Sequence, residues 1–87
     1  MKADKTQIKR LLNTAKGQIE GILKMIDEDV YCIDISNQIL ASAAILKRAN
    51  IEILDAHLKH CVVNASTQEE KEEKMLEISN ILKKVVK

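Results

Sequence analysis

The chain has no proline, no tryptophan and no phenylalanine, and its 87 residues include only two glycines, Gly17 and Gly21. Without proline, no ring clash interrupts a helix, and so little glycine leaves few of the tight turns that join β-strands. Tyr31 is the whole aromatic content, which argues against the stacking platforms that hold single-stranded nucleic acid. No apolar run approaches the ~20 residues that cross a bilayer. The start, MKADKTQIKR, lacks the apolar core of a secretory signal. A cytoplasmic protein with no membrane partner is expected. No nucleophile stands beside a base and an orienting acid at readable spacing, and no glycine-rich phosphate loop occurs. Neither an enzyme nor a small-molecule substrate is therefore expected.

What is present favours helix. Ile, Leu, Lys and Glu dominate, and the apolar positions recur at helical spacing. The expectation is an all-α chain: one domain over residues 1–87, with three helices at about 5–27, 31–62 and 67–86. The first carries the stripe Ile8, Leu11, Leu12, Ala15, Ile19, Ile22, Leu23 and Ile26. Gly17 and Gly21 weaken it unless another backbone approaches them closely. The acidic run Asp27 to Asp29 closes this helix, and Asp29 is placed to cap the next. Ser66, three positions before Glu69, reads as a capping box that opens the third helix.

The middle stretch, YCIDISNQILASAAILKRANIEILDAHLKHCV, reads as one helix ~48 Å long, too long for a domain this size to cover. Ile35, Ile39, Ala43, Leu46, Ile53, His57 and Cys61 fall near one face, which should meet a second copy. His57 and Cys61, four apart, set an imidazole above a thiol. Cys32 lies ~37 Å away along the same helix and cannot join them in one protomer. Two copies packed antiparallel about Ile45 bring Cys32 of one beside that pair in the other, giving two equivalent sites. The small residues Ala41 to Ala44 lie close to this midpoint. Two sulfurs and a nitrogen suit Cu(I), or zinc with an open fourth position. The residues alone leave a second reading, in which both cysteines are small buried apolar groups and His57 is a satisfied core residue.

The net charge of +1 hides an asymmetry. Lys2, Lys5, Lys9, Arg10 and Lys16 oppose only Asp4 in the first sixteen residues, a face that could meet DNA phosphate but that charge alone reads more readily as ordinary solvated surface.

The segments GQIEGILKMI, YCIDISNQI and HLKHC resemble the copper-sensing operon repressor family, which also contains nickel/cobalt-sensing and persulfide-sensing repressors. The resemblance implies a disc-shaped homotetramer of antiparallel dimers without a helix-turn-helix. It implies that the protein binds double-stranded operator DNA until a ligand at the dimer interface releases it. It gives Cys32, His57 and Cys61 as Cu(I) ligands, with Tyr31 and Glu77 as the outer groups that hold them. Nickel/cobalt sensors carry a histidine where Cys61 stands, and formaldehyde sensors lack that cysteine and usually have Pro where this chain has Lys2. Persulfide sensors keep both cysteines but lack the histidine, so His57 favours copper. A Cys32 to Cys61 di- or trisulfide is the rival, and a metal chaperone or storage bundle a third reading. The family's usual first-helix arginines are replaced by Leu11 and Thr14, with Arg10 displaced by one position. Arg10, Lys16, Gln18, Lys47 and Arg48 are the residues left to meet DNA. His60 is expected at the surface.

Overall fold

A computed structural model describes residues 1–86, apart from the side chains of Cys61 and Val62. Three helices follow one another: α1 (Lys5–Asp27), α2 (Cys32–His57) and α3 (Gln68–Val85). The described residues contain no strand. The middle helix does not run unbroken to position 62 as its periodicity suggests. At Leu58–Val62 the backbone widens into a π turn, then leaves the helix through Val63 and Asn64. Such turns are short by nature, and this one ends α2 where α3 must fold back.

α1 and α2 form an antiparallel hairpin, and α3 packs mainly against the π turn at the far end of α2. The α1 stripe divides into two lines. Ile8, Leu11, Ala15 and Ile22 are buried, whereas Leu12, Ile19, Leu23 and Ile26 face outward. From α2, Ser42, Ala49 and Leu54 are buried. The line of Ile39, Ala43 and Leu46 stays exposed within the protomer.

The helix ends show how a glycine-poor chain turns. Asp4 caps α1 by accepting from the Thr6 and Gln7 amides at 3.0 and 3.3 Å. At the other end Asp29 takes the left-handed conformation that glycine usually supplies, with φ 53°. The Val30 amide donates to the Met25 carbonyl and the Asp29 amide to that of Ile26, which closes a Schellman motif. Asp29 therefore ends α1 instead of capping α2, whose N-cap position is Tyr31, with no side-chain cap. The third helix starts one residue later than the Ser66–Glu69 pairing implies. Thr67 accepts from the Glu70 amide at 3.1 Å, while the Glu70 carboxylate accepts from the Ser66 amide and hydroxyl. That register engages three donors, more than the alternative box would. A Cβ built on Gly17 or Gly21 would meet nothing within 4 Å, so within the protomer neither glycine serves close packing.

The protomer measures 57 × 27 × 12 Å, and its radius of gyration is 17.1 Å. A compact chain of this length has a radius near ~12 Å. Its accessible surface of 6603 Å² likewise exceeds the ~5,200 Å² of a folded monomer of this mass. The excess is apolar in large part, since Leu40, Met75 and Leu76 are each more than half exposed.

Candidate metal centre and basic face

Cys32 is the first residue of α2 and carries an exposed, free thiol. Tyr31 precedes it, also exposed. His57 is the last residue of the same helix. Its ring is half-buried, with Nε2 3.8 Å from Glu77 Oε2 on α3. That gap is too long for a hydrogen bond but short enough for a small movement to close it. Lys74 Nζ stands 3.9 Å from the other oxygen of Glu77. Beside the imidazole lies a cavity of about 270 Å³ lined by Ile53, Leu54, His57, Glu77, Ile78 and Ile81. The backbone of Cys61 lies in the π turn, but its side chain is outside the described residues. Among the described residues, no three of His, Cys, Asp or Glu gather at one point within the protomer.

The structure thus brings His57 and Glu77 together and keeps Cys32 and Tyr31 at the opposite end of α2. His60 is exposed, and its carbonyl accepts from the Asn64 amide group at 2.8 Å.

Arg10, Lys16, Lys47 and Arg48 are all exposed. Arg10 is hydrogen-bonded to Gln7, and Arg48 Nε lies 3.4 Å from Glu52 Oε1 one turn on. A shallow groove of about 640 Å³ runs along α1 over Thr6, Lys9, Arg10, Asn13 and Thr14. Lys9 and Asn13, four apart on one face of α1, line this groove beside Arg10. Gln18 behaves differently from the cations it was grouped with. Its side-chain oxygen accepts from the Ser42 hydroxyl at 2.8 Å, within the α1–α2 contact. Ser42 is buried, a role its sequence position among small residues did not disclose.

Residues 4–84 match the family described as metal-sensitive transcriptional repressor. The chain is 36% identical over 84 residues to the copper-sensing transcriptional repressor CsoR of Bacillus subtilis (strain 168), a match spanning 97% of this chain and 83% of that protein. It is 46% identical over 54 residues to the copper-sensing transcriptional repressor RicR of Mycobacterium tuberculosis (strain ATCC 25618 / H37Rv), covering 62% of this chain and 56% of that one. Among solved structures, the copper-sensing repressor CsoR with Cu(I) from Geobacillus thermodenitrificans NG80-2 superposes with a TM-score of 0.82. The two share 33% identity over 94% of this chain and 85% of the other. The nickel-responsive transcriptional regulator InrS shares the fold, with a TM-score of 0.78 at 24% identity over 98% of this chain and 96% of that one. A match over nearly the whole length, on a protomer of the same three helices, places the chain in the metal-sensitive transcriptional repressor family.

Proposed function

We propose that the chain is a cytoplasmic DNA-binding repressor that releases its operator when Cu(I) binds between subunits, derepressing copper efflux or resistance genes. The ligands in this reading are Cys32 together with His57 and Cys61 of the partner subunit. The observation that carries it is the placement of Cys32 and His57 at opposite ends of one helix, with Glu77 behind the imidazole. A thiolate and an imidazole so separated can share an ion only across an interface. The outward line Ile39, Ala43 and Leu46 and the surplus surface support an antiparallel dimer, and the remaining apolar surface supports its assembly into a disc-shaped tetramer.

The donor set fits the ion, because sulfur and imidazole nitrogen suit a soft monovalent cation. Glu77 lies on the Nε2 side of His57, which leaves Nδ1 to face the ligand. Tightening the His57–Glu77 contact would then draw on α3, the step by which occupancy reaches the rest of the subunit. Tyr31, adjoining Cys32, is placed to enter the same cluster from across the interface. The exposed cations Arg10, Lys16, Lys47 and Arg48 would meet phosphate, repeated in each subunit. Cu(I) must favour the conformation with weak operator affinity, and the coupling is reciprocal.

The free, exposed thiol of Cys32 favours a second reading, in which a di- or trisulfide joins it to Cys61 of the partner subunit. One experiment separates these readings. The apo protein selects a duplex from a random pool, and that duplex is titrated anaerobically with Cu(I) or with a persulfide donor. Release by Cu(I) that is lost in His57→Ala supports the first reading. Release by persulfide that survives His57→Ala supports the second, and selection of no duplex leaves a metal-storage bundle. Equal operator affinity with and without Cu(I) refutes the proposal.

A further inference from the structure

Among the described residues, all side-chain hydrogen bonds but one join positions within four of each other in sequence. The exception links Ser42 Oγ to Gln18 Oε1 at 2.8 Å across the hairpin. It sits amid the closest packing, where Ala15 and Ala49 are 1% and 2% exposed and Ser42 is 4%. Small side chains at those positions let the helices approach, but they offer little to stop one helix sliding past the other. Dispersion contacts between methyl groups change little with such a slide, whereas a hydrogen bond is lost over about an ångström. In an antiparallel pair with position 18 opposite 42, a one-turn shift would set the buried hydroxyl against Thr14 or Ile22. Ile22 has no acceptor, and the Thr14 oxygen, carried on Cβ and turned back to the Arg10 carbonyl of its own helix, reaches two bonds less far than the Gln18 carboxamide oxygen.

We propose that the Gln18–Ser42 hydrogen bond fixes the register of α1 on α2, and with it the placement of Arg10 and Lys16 relative to Lys47 and Arg48. Gln18 is then a positioning residue of the DNA-binding face and not a DNA contact. Both pairs of cations lie on helices whose only side-chain hydrogen bond to each other, among the described residues, is this one. The role of Gln18 in DNA binding rests on the reading of that face as the operator surface, but the register itself does not.

The test is a cycle of Gln18→Ala, Ser42→Ala and the double variant in the apo protein, read in two ways. The first readout is affinity for the duplex selected by the wild-type protein. The second is the distance between spin labels carried by non-canonical residues at Lys5 and Asn50, with both native cysteines kept. Each single variant should weaken operator binding about three- to tenfold, and the double variant no more than either. The label distance should broaden or shift in all three. An effect of Gln18→Ala with Ser42→Ala silent would make Gln18 a direct contact and overturn the proposal. A fall in thermal midpoint with unchanged operator affinity and label distance would reduce the bond to a packing role, and also overturn it. If the wild-type protein selects no duplex, the functional reading fails alone, and an unchanged label distance still decides against the register.

Discussion

Cys32 begins α2 and His57 ends it, so one straight helix holds the two ligand candidates ~37 Å apart. No rotamer change in either side chain spans that length. If the site is shared, two defective subunits should repair each other. A Cys32→Ala subunit still offers His57 and Cys61, and a His57→Ala subunit still offers Cys32. Each variant alone should lose high-affinity Cu(I) binding in a chelator competition. Mixed dimers of the two should regain one site per dimer, and no recovery on mixing would mean that the ligands come from a single subunit.

The carboxylate behind His57 gives a second expectation. Glu77→Gln keeps the shape but removes the charge 3.8 Å from Nε2. Cu(I) affinity should fall about 10- to 100-fold. The metal-induced loss of operator binding should fall further, because α3 no longer senses the imidazole. A variant that binds Cu(I) and releases DNA as the wild type does would exclude Glu77 from the coupling.

On the basic face, the sign of each change can be read from its partner. Arg10→Ala, Lys16→Ala or Arg48→Ala should weaken operator binding and lower the log–log salt slope by about one for each phosphate contact removed. Glu52→Gln removes the negative charge that partly neutralises the Arg48 guanidinium at 3.4 Å. Operator affinity should then rise about two- to fivefold at low salt and return to the wild-type value at high salt. Fluorescence anisotropy across a salt series checks both.

The start of α3 carries a pH dependence. Glu70 is held below the ordinary carboxylate range, first by the Ser66 amide, then by the Ser66 hydroxyl, with lesser help from the Thr67 amide and Lys74. Its stabilising effect is complete above the ordinary glutamate value and is lost as pH falls through the lowered one. The first turn of α3 should therefore fray in acid, and Glu70→Gln should flatten that dependence. Thr67→Ala should cost about 1 kcal/mol at neutral pH through loss of the N-cap. Amide exchange of residues 68–72 against pH measures all three.

Asp29 offers a gain. Its left-handed backbone strains an ordinary side chain, and glycine relieves that strain. Asp29→Gly should stabilise the protein by about 0.5–1 kcal/mol in denaturant unfolding, despite the added freedom of the unfolded chain.

Much of this architecture was legible in the sequence because period 3.6 is written plainly in α1, and because Asp27 to Asp29 and Ser66 to Thr67 mark the breaks. α1 spans Lys5–Asp27, the stretch over which its apolar period runs. The π turn was not legible, since Leu58–Val62 carries no proline or glycine to mark a break. Nor was the role of Asp29, because an acidic residue between helices can end one or cap the other, and only the backbone angle distinguishes them. The two-line division of the α1 stripe needed the partner helix to be seen. Gln18 fits a basic face by its place among cations, and only the fold shows its side chain reaching Ser42 across the hairpin. The candidate ligands stood out by residue type, and the fold adds that His57 and Glu77 converge while Cys32 stays remote.

Along its shortest axis the protomer extends only 12 Å, against 57 Å along its longest. A layer that thin has two outsides and little middle, so much of its apolar surface cannot be covered from within. Under the function proposed above, the ion is gripped along a seam between two such layers, where the act of gripping and the act of reshaping the whole would be the same event.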